Sequence, residues 1–107
     1  MDLAIRKNDQ SVSLVSVFTV EPQNQEKLVR FLEDGTETLL SKQPGYIGTS
    51  LLKSVDGRRV VLYSQWRSAK DVEAYRAKPD IAEAFKQLMP LATFDTTISE
   101  VAYVHHR

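Results

Sequence analysis

The 107-residue chain is predicted to be an α+β domain of the ferredoxin-like, split βαβ kind, with two helices on one face of a four-stranded antiparallel sheet. Three observations lead there. Asp56-Gly57 between two apolar runs marks a central β-hairpin. Alternating stretches at Ser11 to Val20 and Thr96 to Val104 supply the outer strands. Apolar residues at three- and four-residue spacing separate each outer strand from the hairpin, which gives the order β, α, β, β, α, β.

In the first strand, SVSLVSVFTV, Val12, Leu14, Ser16, Phe18 and Val20 share one face, and Ser13, Val15, Val17 and Thr19 the other. Pro22 suits a first helical turn, and Leu28, Phe31, Leu32, Gly35, Leu39 and Leu40 then form a stripe. A helix is expected from Pro22 to Lys42, closed by Pro44-Gly45. The hairpin spans Tyr46 to Trp66 around a tight primed turn, with Gly48 to Ser54 paired to Arg58 to Trp66. Its second strand sets Val60, Leu62, Ser64 and Trp66 against Arg59, Val61, Tyr63 and Gln65.

Ser68 with Asp71 three residues later is a helix N-cap signature, followed by Val72 and Tyr75 pointing inward. Pro79-Asp80 restarts the helix, whose stripe is Ile81, Ala84, Phe85 and Leu88 up to Pro90. Two helices cover one face of the sheet only. The other, with Val15, Val17, Val61, Tyr63, Val101 and Tyr103, would stay wet in a monomer, so a homodimer with sheets packed face to face is expected.

Lys and Arg total 14 and Asp and Glu 14, so no long-range attraction to nucleic acid or an anionic membrane arises. Cysteine is absent, which removes thiolate chemistry and fits a reducing compartment. Residues 1–10 read as a polar arm without an apolar leader, and 11–107 as one domain. No run approaches the ~18 apolar residues of a membrane span, and a cytoplasmic protein is expected. His105 and His106 are adjacent and so point to opposite sides of a strand. An exposed tail is expected there, and no metal site.

The framework LVSVFTV, then KQPGYIGTSLLKSVDGRRVVLYSQWRSAKDVEAY, resembles the antibiotic biosynthesis monooxygenase family of dimeric α+β barrels, and within it the small anthrone and quinol oxygenases of aromatic polyketide pathways. The resemblance runs from about Ser13 to Val104. It implies oxidation of a small aromatic phenol, anthrone or quinol by O2 without metal, flavin or haem, in a pocket between sheet and helices. On the matching face it implies catalytic roles for Trp66 and Ser16, and substrate contacts from Phe18, Leu62 and Ser64. Gly35 either leaves room for a planar ring or marks close helix-to-sheet packing. Tyr75 and Arg76 are placed to meet a phenol or carboxylate at the pocket mouth, or are an amphipathic aromatic beside a solvated charge. Trp66 itself is either core or the wall of a flat ligand site.

The chain departs from the polyketide oxygenases where these carry Asn on the first strand and on the tryptophan strand, here Ser16 and Leu62. Two other functions stay open: a dimer of the same fold that binds, isomerises or cyclises an apolar metabolite, and a haem-degrading relative, whose Asn, Trp and His set is matched only at Trp66.

Overall fold

The computed structural model describes residues 11–107, and the polar arm lies outside them. The strands are β1 (Val12–Val20), β2 (Tyr46–Lys53), β3 (Arg59–Trp66) and β4 (Ala92–Ser99), and the helices α1 (Gln25–Thr38), α2 (Ala69–Arg76) and α3 (Pro79–Leu88). They form one antiparallel sheet in the order β2-β3-β1-β4. This is the expected ferredoxin-like fold, since the two central strands are the first and third in sequence.

Alternation sets the faces. Val12, Leu14, Phe18 and Val20 of β1 and Val60, Leu62 and Trp66 of β3 are buried under the helices, with Ser16 and Ser64 beside them. Two apolar clusters result. One gathers Phe18, Leu28, Leu32, Val60 and Leu88, the other Leu14, Leu40, Trp66, Val72 and Ile81. Phe85 packs against both, so it marks the seam between them.

Three local expectations are corrected. The first helix is not continuous from Pro22 to Lys42: 3-10 turns at Pro22–Asn24 and Leu40–Lys42 flank α1. The break falls at Leu39 (φ −121°, ψ −58°), where the Gln43 Nε2 donates to the Leu39 carbonyl at 3.0 Å and replaces a helical bond. This turns Leu40 into the core, where it is 4% exposed.

The hairpin turn is not the tight primed type. Ser54 N–H donates to the Arg59 carbonyl at 2.9 Å, which leaves the four residues 55–58 in the loop. Gly57 takes φ 81° there, and Ser54 Oγ accepts from the N–H of Arg58 and of Arg59 at 3.1 and 2.8 Å. A four-residue loop is the form that ordinary turns with one left-handed glycine favour. Beneath it, the buried Gln25 Nε2 donates to both the Ser54 and Arg59 carbonyls, at 3.0 and 3.1 Å.

The last strand is Ala92–Ser99, which starts four residues and ends five residues before the expected Thr96 to Val104. Ala92, Phe94, Thr96 and Ile98 stand opposite the inward residues Val20, Phe18, Ser16 and Leu14 of β1. The outward residues Thr93, Asp95 and Thr97 are polar, as suits an edge strand, and they give the segment the look of a loop in sequence. Val101 and Tyr103 therefore lie beyond the sheet, and Tyr103 is exposed.

The junction after the proline turn is tightly made. Gly45 has φ 84°, and its carbonyl accepts from Arg67 N–H at 2.7 Å. Asp71 is held by a two-pronged Arg67 contact (3.0 Å each) and by the Ser68 hydroxyl (2.8 Å), while its own N–H caps α2 on Ser68 Oγ at 3.2 Å. The Arg67 guanidinium hydrogen-bonded to it holds the Asp71 carboxyl below the usual carboxylate range. A methyl group at Gly45 would overlap that carboxylate. Gly45→Ala is therefore expected to destabilise the fold by about 2 to 4 kcal/mol, from left-handed strain plus overlap with a side chain held in place by Arg67 and Ser68. Denaturant titration measures it.

Candidate functional site

The seam between the two clusters is not filled. A cavity of about 170 Å³ lies there, between the inner face of the sheet and the helices. Its floor is Leu14 and Ser16 of β1, Leu62 and Ser64 of β3, and Phe94 and Thr96 of β4, and its roof includes Leu40, Tyr75, Arg76 and Phe85. A smaller lobe of about 50 Å³ extends under α1 and α3. Leu40, Leu62, Tyr75 and Phe85 line both lobes, so the two share a wall.

The strand register explains the polar floor. Ser16 stands directly opposite Leu62 on one side and Thr96 on the other, and Leu14 opposite Ser64. Ser16 Oγ and Thr96 Oγ1 are 2.9 Å apart, one donating to the other. Ser64 Oγ accepts from the Trp66 indole Nε1 at 2.9 Å. That bond uses an acceptor site of Ser64, so its own O–H is left to donate.

Trp66 lies behind this surface. It is fully buried, with its ring 4.9 Å from Tyr75 and 5.8 Å edge-on from Tyr46, and it is not among the side chains lining either lobe. Phe18 is likewise fully buried, 5.4 Å from Phe94, which faces the cavity in its place. Of the residues singled out in the sequence, Ser16, Leu62, Ser64, Tyr75 and Arg76 come together in the larger lobe, and Gly35 lines the smaller. Thr96, Phe94, Phe85 and Leu14 were not singled out. The signal for the two β4 residues was the alternation Ala92, Phe94, Thr96, Ile98, hidden by the polar residues between them.

The electrostatics are sparse. Arg76 is the one ionised side chain among the residues lining the larger lobe, and no carboxylate or imidazole is among them. Burial pushes the Tyr75 phenol from 10.0 up to about 12, with the Arg76 charge pulling weakly the other way. Tyr75 is thus a neutral hydroxyl at any ordinary pH. Stability linked to it is fully present below pH 10 and is lost as pH rises towards 12, because the unfolded chain gives up the phenolic proton first. The loss is on the order of 2 to 3 kcal/mol, and Tyr75→Phe is expected to abolish it in pH-dependent denaturation.

Among the described residues no group of three or more His, Asp or Glu is arranged to hold a metal ion, and His105 and His106 are exposed beyond β4. No helix among them is long and apolar enough to cross a membrane.

Comparison with known proteins identifies the family and the fold. The family model for antibiotic biosynthesis monooxygenase matches residues 11–87. Tetracenomycin-F1 monooxygenase of Streptomyces glaucescens is 40% identical over 73 residues, which are 68% of this chain. The match spans 65% of that relative's length. SnoaB, a cofactor-independent oxygenase from Streptomyces nogalater, superposes with a TM-score of 0.73 at 21% identity, covering 89% of this chain and 96% of that one. A protein of Shewanella oneidensis superposes at 0.72 with 25% identity, covering 87% and 92% of the two chains. The chain is a member of the antibiotic biosynthesis monooxygenase family.

Proposed function

We propose that the protein is a cofactor-independent monooxygenase of an aromatic polyketide pathway, oxidising an anthrone, phenol or quinol-type substrate with O2 in the cavity between sheet and helices. The carrying observation is the larger lobe itself, a slot with aromatic and aliphatic walls and the hydroxyls of Ser16, Thr96, Ser64 and Tyr75 on its lining. The 40% identity to tetracenomycin-F1 monooxygenase supports a monooxygenase reaction.

For an anthrone the chemistry closes without an added reductant. The ring CH2 becomes C=O, a four-electron loss; O2 gains those four electrons, one oxygen atom entering the product and the other leaving as water with the two hydrogens. The protein's task is to favour the deprotonated, electron-rich form of the substrate. The Ser64 hydroxyl and the Ser16–Thr96 pair donate to the substrate oxygen as charge gathers on it, and the Arg76 guanidinium adds a favourable field. Tyr75, held neutral, serves as a further donor and not as a base. Leu62 replaces an amide donor with an apolar contact against the ring face.

The test is oxidation of an anthrone by chelator-treated protein under 18O2. Faster quinone formation than in buffer, with one labelled oxygen in the product, is expected; a rate equal to buffer sinks the reading. The lack of a carboxylate or imidazole on the lining favours a second reading, a carrier or cyclase of an apolar metabolite. A compound that raises the melting temperature and is recovered unchanged would separate it from the first.

The outer sheet face supports a homodimer. Val15, Val61 and Tyr63 are only half-buried, Val17 is 37% exposed and Leu52 is 59% exposed. Sheet-to-sheet packing would remove this apolar surface from water. Sedimentation at micromolar concentration should give twice the monomer mass.

A further inference from the structure

The smaller lobe has a composition unlike the larger one. Its lining is aliphatic and aromatic except for Gly35 and Thr36, and the Thr36 hydroxyl is spent inside α1, donating to the Leu32 carbonyl at 2.8 Å. A water molecule needs two to four polar partners to stay in a cavity, and this lobe offers at most one, the Tyr75 hydroxyl that it shares with the larger lobe. At about 50 Å³ it is well below the ~150 Å³ of a cavity known to take benzene, so a six-membered ring does not fit. A diatomic gas does.

Gly35 sits inside α1 with ordinary helical geometry, so no turn or positive φ requires it. A Cβ built there meets nothing within 4 Å, which removes close packing as its reason. Alanine would be the better helix former by about 1 kcal/mol and would begin to fill the void. The glycine keeps the space open at some cost in stability.

The lobe also lies between two other spaces. Phe31, Gly35, Leu39 and Ala84 line it on one side and line, on their other side, a solvent groove between α1 and α3 that also includes Asp34 and Glu83. Leu62, Tyr75 and Phe85 form the wall that it shares with the hydroxyl-lined lobe. Groove, apolar lobe and larger lobe therefore form a series of three spaces with shared walls.

Resting on the oxygenase reading above, we infer that the apolar lobe is a dioxygen site and entry path, with Gly35 and Ala84 as its throat, separate from the opening by which the aromatic substrate reaches the larger lobe. O2 partitions into apolar space, and a lobe of about 50 Å³ is too small for the aromatic substrate. Oxygen would then meet the bound ring from the side of Leu62 and Phe85 while the hydroxyls of Ser16, Thr96 and Ser64 hold the substrate oxygen.

Two experiments test it. Crystals pressurised with xenon should show the gas beside Gly35 in the wild type and not in Gly35→Leu. In steady-state oxidation of an anthrone, Gly35→Leu should raise the KM for O2 by about fivefold or more and leave the KM for the anthrone within about twofold. Ala84→Leu narrows the same throat from α3 and should act the same way, so the result does not hang on one fold variant. An unchanged KM for O2 in both variants, or no xenon in the lobe, overturns the inference and leaves the oxygenase reading standing. A raised anthrone KM alone would assign the lobe to a substrate substituent and overturn it too. Should the wild type consume no O2 with any anthrone, the functional reading fails and the assignment to dioxygen falls with it, whatever xenon shows.

Discussion

Replacing Trp66 by alanine is expected to cost about 3 to 5 kcal/mol of stability, the range for deleting a fully buried aromatic side chain. The reason lies in its three contacts. It stacks obliquely on Tyr75, meets Tyr46 edge-on, and donates its indole N–H to Ser64. Of these, the contacts to Tyr75 and Ser64 run to side chains on the cavity lining. Trp66→Phe keeps most of the apolar surface and removes the indole donor, so about 1 to 2 kcal/mol is expected from it. The two variants together separate packing from orientation. Thermal and urea denaturation give the stabilities; substrate turnover in the phenylalanine variant shows whether Ser64 still presents its hydroxyl. A Trp66→Ala protein as stable as wild type would mean that the aromatic cluster around it contributes little.

Ser64→Ala is the second large effect, this time on activity. If the Ser64 hydroxyl donates to the substrate oxygen in the transition state, its loss should lower kcat about 10²-fold, the scale found for removing one donor to a developing oxyanion. The same change strands the Trp66 N–H in a dry environment and should cost about 1 to 3 kcal/mol of stability. Ser16→Ala alone should do less, because Thr96 at 2.9 Å keeps a hydroxyl in place to donate. Anthrone turnover measured for Ser64→Ala, Ser16→Ala and the Ser16→Ala/Thr96→Val pair ranks the donors. A Ser64→Ala enzyme with wild-type kcat would remove Ser64 from the chemistry.

The sheet and the pairing of its central strands were legible because period-two alternation is strong in SVSLVSVFTV and RVVLYSQW, and because residues on one face of neighbouring strands must meet. That reasoning puts Ser16 and Phe18 on the same inner face as Leu62, Ser64 and Trp66, while the direct Ser16–Leu62 pairing follows from the register. Alternation gives a face but no depth. Whether an inward side chain ends in solid core, as Phe18 and Trp66 do, or at an open space, as Ser64 does, depends on the helices above it, and their exact seating follows from features such as the Leu39 break. At the break the Leu39 carbonyl accepts from the Gln43 side chain and from the Lys42 N–H, a tightening of the chain that helix periodicity does not register. Strand β4 was shifted in the reading because an edge strand carries Thr and Asp on its outer side, the same residues that mark loops.

The Gln25 amide, pinned to the carbonyls of Ser54 and Arg59, binds the start of α1 to the closed end of the hairpin. Fraying of the β2–β3 ribbon at that end must also strip two acceptors from a buried amide, so the ribbon tip and the first turn of the helix open as one cooperative unit. Among the described residues the side-chain hydrogen bonds at the far end of the helix stay within α1 and the turn that follows it. Local opening is therefore expected more readily at the Gly35 to Leu39 end, where the inferred gas path begins.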